Sequence, residues 1–235
     1  MTPAHAEVAR ARLESWLGID VGRGGIARAI ERHLTTRLAA LGRPDAAGFA
    51  ALLDAPGSAE AQHLVDAATV PHSWLFRDAS QLAQALPPRS GLRIWVAGCA
   101  NGEEAYTVAA LALIAGRDVQ VLATDVNQRA LERARGGRYD AWTARELPAT
   151  AARWFRRGAD DAVEVDAALR ARVTFARHSL ALPPPRPADA STWDVVNCRN
   201  EHNYFARDRA LEVVARIAGV LAPGGLLALG ASDVL

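Results

Sequence analysis

The sequence predicts an α/β protein: a parallel sheet covered on both faces, preceded by a small all-helical region and interrupted by a small antiparallel β insertion. Short apolar runs at 92–97, 119–123, 193–196 and 226–229 alternate with helical patterns. Strands that are apolar throughout, rather than alternating, are those buried on both faces. Before residue 90 the apolar residues recur at helical spacing and no strand-like alternation is seen. Alternation around Val163 and Val165 marks the antiparallel insertion.

The elements follow in order. Ile26, Ile30, Leu34, Leu38 and Leu41 make one stripe of a helix, which Gly42-Arg43-Pro44-Asp45 stops. Phe49, Leu52 and Leu53 belong to a short second helix closed by Asp54-Ala55-Pro56-Gly57, and Ser58 caps a third that carries Leu64 and Val65. Pro87-Pro88-Arg89-Ser90-Gly91 reads as a linker. Residues 1–70 are therefore expected to form a helical domain, 71–90 a joining segment that contributes to the ligand site, and 91–235 the α/β domain. Beyond the linker, Leu92–Ala97 is a strand, Glu103–Ala115 a helix and Val119–Ala123 a strand ending at Asp125, after which Asn127 caps a helix through Arg135. Trp193–Val196, a helix from about Asp208 to Leu221, the Pro223-Gly224-Gly225 turn and the run Leu226–Leu229 complete the pattern. The expected strand order is 3-2-1-4-5.

Composition narrows the classes. With 235 residues, half of them apolar and 23% charged, a sizeable core is available and disorder is excluded. A net charge of +1 argues against a wholesale nucleic-acid binder. Two cysteines make neither a disulfide framework nor a zinc cage. His5, His33, His63, His72, His178 and His202 show no metal-ligand spacing. There is no apolar run of about 18 residues to span a membrane and no signal-peptide pattern, so a cytoplasmic location is expected.

In doubly wound sheets ligands sit at the carboxyl ends of the strands, near the switch in strand order. The first strand runs into Gly98-Cys99-Ala100-Asn101-Gly102-Glu103-Glu104. The small residues let a ligand approach the backbone, but two glutamates at a helix start repel a phosphate and suit a cationic or amino-acid group. Equally, acidic residues complement any helix N-terminus. The second strand ends in Thr124-Asp125, where a carboxylate can accept from two ribose hydroxyls. Together these favour a nucleoside without a phosphate tail, of which S-adenosylmethionine is the common example. Asn197-Cys198-Arg199-Asn200 closes the site; it is not the Asn/Asp-Pro-Pro-Tyr type of loop expected for a base-modifying enzyme.

From Ser73 to Leu235 the chain resembles the CheR family, the bacterial chemoreceptor glutamate methyltransferases, with a Rossmann-like S-adenosylmethionine-dependent sheet. The resemblance rests on Ser73-Trp74-Leu75-Phe76-Arg77-Asp78, Gly102-Glu103-Glu104-Ala105-Tyr106, Ala123-Thr124-Asp125-Val126 and Cys198-Arg199-Asn200. Tyr204-Phe205, and Pro223-Gly224-Gly225 with Leu229-Gly230-Ala231-Ser232, extend it. It implies methyl transfer from S-adenosylmethionine to glutamate side chains of a receptor's helical cytoplasmic domain, releasing S-adenosylhomocysteine. Carried over by position, Ser73 and Arg77 contact the cofactor, Glu103 or Glu104 its amino-acid end and Asp125 its ribose. Ser179, Leu180, Arg199 and Asn200 line the remainder, and Arg77 and Tyr204 face the reacting centre; Arg77 is alternatively a structural arginine paired with Asp78.

The chain departs from the family at Pro71-His72-Ser73, where Asn-Glu-Thr is usual, and at Glu201-His202-Asn203, where three apolar residues are usual. The polar triplet leaves open a second reading, a weak or inactive CheR-like adaptor that docks on a receptor with cofactor binding reduced or lost. The chain also stops after Ser232-Asp233-Val234-Leu235, before the family's usual final antiparallel strand, as a fragment would. Arg23, Arg28, Arg32, Arg37 and Arg43 make a basic segment suited to an acidic receptor, or simply a solvated face. The insertion's loop after Gly158 is short and acidic (Asp160, Asp161, Glu164), so docking on a receptor's C-terminal pentapeptide is not expected. A monomer is expected, with neither nucleic acid nor membrane insertion, and Cys99 and Cys198 are expected as reduced core residues.

Overall fold

The computed structural model describes residues 2–22, 25–55, 57–69, 71–158, 160–189, 191–231 and 233. Arg23 of the basic segment, and Ser232, Val234 and Leu235 at the chain's end, lie outside them. Four helices come first: α1 (Pro3–Leu17), α2 (Ile26–Ala40), α3 (Ala46–Asp54) and α4 (Ala59–Ala68). They close over one apolar cluster in which the stripe Ile26, Ile30, Leu34 and Leu38 is buried beside Leu13, Phe49 and Leu64. The Asp45 and Ser58 side chains accept from the Gly48 and Ala61 amides, so the starts of α3 and α4 are capped as their sequences require.

After the short helix α5 (Ala79–Gln84) come β1 (Leu92–Ala97), α6 (Glu103–Ile114), β2 (Val119–Asp125), α7 (Gln128–Gly136) and the three small strands β3 (Arg138–Tyr139), β4 (Phe155–Arg157) and β5 (Val163–Val165). A short helix α8 (Ala167–Arg170), β6 (Val173–Arg177), β7 (Trp193–Asn197), α9 (Arg207–Ala218) and β8 (Leu221–Ala228) follow. The main sheet is parallel in the order β6-β2-β1-β7-β8, which is 3-2-1-4-5 by strand rank; β3, β5 and β4 form a separate antiparallel sheet.

β1 shows why the central strands carry apolar residues on both faces. Ile94 and Val96 face a cluster containing Ala105, Val108 and Ala109 of α6, whereas Trp95 and Ala97 face Val213 and Ile217 of α9. Both faces are covered. The Trp95 indole this buries is satisfied, since its Nε1 donates to Thr124 Oγ1 at 2.9 Å on the neighbouring strand. Arg89, in the linker, pairs with the fully buried Asp194 of β7, whose other oxygen accepts from the Arg93 amide at 2.7 Å. Cys99 and Cys198 are free and buried.

Two boundaries differ from the sequence expectation. The last helix stops at Ala218, three residues short of Leu221, because Leu221 already pairs with Trp193. Pro223-Gly224-Gly225 lies inside β8 as an irregularity rather than ahead of it: the register jumps from Leu221↔Trp193 to Leu226↔Val195, with Gly224 at φ +74°.

Candidate active site

The carboxyl ends of β1, β2 and β7 meet one cleft that opens to solvent. Its polar side is made by Gly98, Ala100, Asp125, Ser179 and Glu201, and its apolar side by Leu17, Ile19 and Ile26 of the helical region together with Leu180 and Phe205. The helical region is held there by the backbone: Ile19 bridges Phe205 and the Asp20 amide donates to the Tyr204 carbonyl at 2.8 Å. The segment before residue 75 contributes Thr69 and Pro71 to the wall.

Asp125 terminates β2. One carboxylate oxygen accepts from the Ala100 amide and the other from the Asn127 amide, each at 2.8 Å. The Val126 amide also faces the carboxylate, which with about four acceptor directions still has capacity for a ligand hydroxyl. Burial raises the carboxyl above its ordinary range, and those three amides pull in the opposite direction. Gly102 starts α6 at φ +88°, and a Cβ there would meet Ala134 Cβ at 2.8 Å, so this position needs glycine both for conformation and for space.

Glu103 and Glu104 open α6 and part company. Glu103 is buried with one oxygen 3.3 Å from Asn101 Nδ2 and the other without a partner; burial raises its pKa. Glu104 belongs to an ion cluster around Arg199. The Arg199 side chain, 1% exposed, donates to Glu104 at 2.7 Å, to Asp78, and to Gln81 at 3.1 Å. Burial raises Glu104 even against that arginine.

Left-handed backbone gathers around this cluster at Phe76, Asp78, Ala100 and Asn200, with φ of +63°, +52°, +48° and +63°. Non-glycine residues adopt this conformation at a cost of about 1–3 kcal/mol each, and each is anchored. The Phe76 amide donates to the buried Thr107 hydroxyl at 2.9 Å, and the Asn200 amide to Asp233 at 2.6 Å. Asp78 and Ala100 are held by the Arg199 and Asp125 bonds already described. Asp233 also accepts from the Gly230 amide at 2.7 Å and the His202 amide at 3.2 Å, tying the chain's end to the loop after β7.

Of the residues expected from sequence, Asp125, Ser179, Leu180 and Tyr204 line the cleft. Ser73, Arg77, Glu103, Glu104, Arg199 and Asn200 do not. Arg77 stands 4.5 Å over the Trp74 ring with Nε 3.8 Å from Asp78, so the ring and a neighbouring acid both claim it. Tyr204 is kept protonated by burial and by the nearby Glu201 and Asp125 carboxyls. Sequence reasoning missed the walls at Leu17, Ile19 and Ile26, which carry no signal beyond helical apolarity. It also missed the anchors Thr107, Gln81 and Asp233; the last was legible only as an acid following a glycine-rich turn.

In the antiparallel sheet, the acids expected to make an acidic edge are largely answered. Arg138 pairs with Asp160 and, at 3.1 Å, with Glu164, while the outer strand β4 exposes Arg156 and Arg157. On α2, Arg37 pairs with Glu60, whereas Arg28 and Arg32 are exposed with no ion-pair partner among the described residues. No described helix is long and apolar enough to cross a membrane.

A parallel sheet with this strand order, a small-residue loop after its first strand and a carboxylate at the end of its second defines a nucleoside-binding α/β protein. Residues 75–235 match the family model described as the CheR methyltransferase, SAM binding domain. The chain is 34% identical over 223 residues to a chemotaxis protein methyltransferase of Klebsiella aerogenes, covering 87% of this chain and 74% of that protein. It is 32% identical to the Salmonella typhimurium protein of the same name, covering 87% and 75%. An uncharacterised 104.1 kDa protein of Rhodobacter capsulatus is 31% identical over 92% of this chain, which spans only 24% of that protein. The chain belongs to the CheR methyltransferase family.

The residues present fit the family's cofactor, S-adenosylmethionine. Asp125 has acceptor directions free, the opposite wall is apolar, and among the described residues lining the cleft there is no arginine to repel a cation.

Proposed function

We propose that this chain is an S-adenosylmethionine-dependent protein-glutamate O-methyltransferase acting on the helical cytoplasmic domain of a chemoreceptor. The observation that carries the reading is Asp125, oriented by two backbone amides at the edge of a cleft walled by both the sheet and the N-terminal helices, in a chain of this family.

In this reading Asp125 binds the ribose, Ser179 and Leu180 line the remainder of the site, and the amino-acid end points toward the start of α6, where Glu103 keeps one buried oxygen without a partner. Glu104, Arg199 and Asn200 act by holding the strand-end loops, and Ser73 and Arg77 approach from the joining segment. The cofactor supplies a methyl group already activated on a sulfonium. A substrate glutamate with a pKa near ~4.3 is ionised at neutral pH, so no general base is needed. The protein's task is alignment in a partly desolvated site: Arg77 steers the carboxylate and the protonated Tyr204 donates a hydrogen bond at the reacting centre. The exposed Arg28 and Arg32 favour an acidic receptor surface, and the short loop between β4 and β5 favours contact with the methylation region without a C-terminal pentapeptide.

One observation favours the adaptor reading instead. Glu201 lies against Gly98, where a ligand would approach the backbone. Calorimetric titration with S-adenosylmethionine and S-adenosylhomocysteine separates the two: saturable binding of both supports the enzyme, and binding of neither supports the adaptor.

A further inference from the structure

Glu201 stands where the family resemblance leads one to expect an apolar residue, and its placement is specific. It follows β7, and its carboxyl packs so closely on Gly98 at the end of β1 that a Cβ on that glycine would run into it. It lines the same cleft as Asp125 and Tyr204. Among the described lining residues the only other titratable group is His178, whose pKa burial lowers. A ligand entering the cleft therefore meets two carboxyl groups and no arginine among the described lining residues.

We infer that Glu201 makes the cleft discriminate between a sulfonium nucleoside and its neutral thioether counterpart, favouring the charged donor over the demethylated product. The inference rests on the methyltransferase reading above. S-adenosylmethionine and S-adenosylhomocysteine share base, ribose and amino-acid end; they differ at sulfur, where one carries a positive charge and a methyl group. Their affinity ratio therefore cancels every contact made by Asp125, Ser179 and Leu180 to the common parts, and isolates what the cleft does with that charge.

The groups facing Glu201 set its protonation. Burial comes first, followed by Asp125 at the end of β2, Asp233 at the chain's end and Glu104 on α6; all four effects raise its pKa well above the ordinary range. Tyr204 and Cys198 are also coupled to it, and their ionisation would add negative charge. The neighbouring His202 lies against Asp233, with Nδ1 at 3.5 Å. In the free cleft these effects bias Glu201 toward its neutral acid form. A cation brought beside it favours the carboxylate, and the proton leaves to solvent. Binding of the sulfonium strengthens as pH rises, and binding of the thioether does not.

The test is calorimetry of both nucleosides with the intact chain and with Glu201→Gln, between pH 6 and 8, in buffers of differing ionisation enthalpy. In the parent, the preference for S-adenosylmethionine over S-adenosylhomocysteine is expected to exceed that of the variant by roughly tenfold at pH 8 (about 1.4 kcal/mol) and to shrink toward pH 6. Proton release is expected with the sulfonium alone, and with neither ligand in the variant. Equal ratios in parent and variant, or proton release indifferent to the ligand, would overturn the inference while leaving cofactor binding intact. If the parent binds neither nucleoside, the inference and the methyltransferase reading both fall. Should circular dichroism show the variant unfolded, the parent's pH-dependent ratio and ligand-specific proton release decide alone.

Discussion

Replacing Arg199 by methionine removes the centre of the ion cluster that joins α5, α6 and the loop after β7. The two carboxylates it leaves behind are not equivalent: the Glu104 side chain is 18% exposed and that of Asp78 is 49% exposed. Asp78 is rehydrated, and its share stays near the surface-pair range of about 0–1 kcal/mol. Glu104 loses its partner in a buried setting, for which breaking a pair costs about 3–5 kcal/mol. At about 2–4 °C per kcal/mol for a chain of this size, the midpoint of thermal unfolding should fall by roughly 6–24 °C. The sign of the pH dependence follows from Glu104, whose pKa is already raised by burial and rises further without the arginine. Protonated Glu104 is tolerated in the folded state. Its contribution is therefore fully present below the unfolded value of about 4.3 and is lost as pH rises through the folded pKa, so the variant's deficit grows toward neutrality. Urea and thermal unfolding at pH 5 and pH 7.5, with Arg199→Met/Glu104→Gln as partner, read this directly. The double variant should recover part of the loss and flatten the pH dependence. A single variant as stable as the parent at pH 7.5 would show that the cluster holds nothing together.

Asp125→Asn should weaken S-adenosylmethionine and S-adenosylhomocysteine alike, by about tenfold to a hundredfold, because charged-group hydrogen bonds of ~1.5–3 kcal/mol become neutral ones. Calorimetry showing parental affinity would remove Asp125 from the ribose. Alanine is the less informative change there, since it also strips acceptors from the Ala100 and Asn127 amides. Arg28→Glu with Arg32→Glu should impair methylation of a receptor fragment as high salt does in the parent while leaving cofactor titrations unchanged; parental rates at low salt would reduce that face to a solvated one.

The sheet was legible because its strands are apolar on both faces: Leu92–Ala97 could not be a half-exposed strand, and Gly98 and Asp125 marked where two strands stop. The caps Ser58 and Asn127 were legible from local chemistry, whereas Asp45, read only as part of a helix stop, also caps α3. What was not legible required tertiary contact. Ile19 and Ile26 read as ordinary core residues, and only the pairing of Ile19 with Phe205 brings them to the cleft. Arg199 read as a ligand contact because its motif abuts the strand end, yet three side-chain partners on α5, at its start and on α6 hold it away from the cleft wall. Glu201 read as a misplaced polar residue, and only its packing on Gly98 shows that its carboxyl lies in the cleft.

The central claim, methyl transfer to receptor glutamates, is tested most directly by incubating the chain with S-adenosylmethionine labelled in its methyl group. The acceptor is a helical receptor cytoplasmic fragment lacking its C-terminal pentapeptide, and the label is followed as a base-labile methyl ester. Incorporation that is lost when the acceptor glutamates are replaced by alanine is the expected result. Binding of the cofactor with no ester formed on any receptor fragment, with or without the pentapeptide, would contradict it.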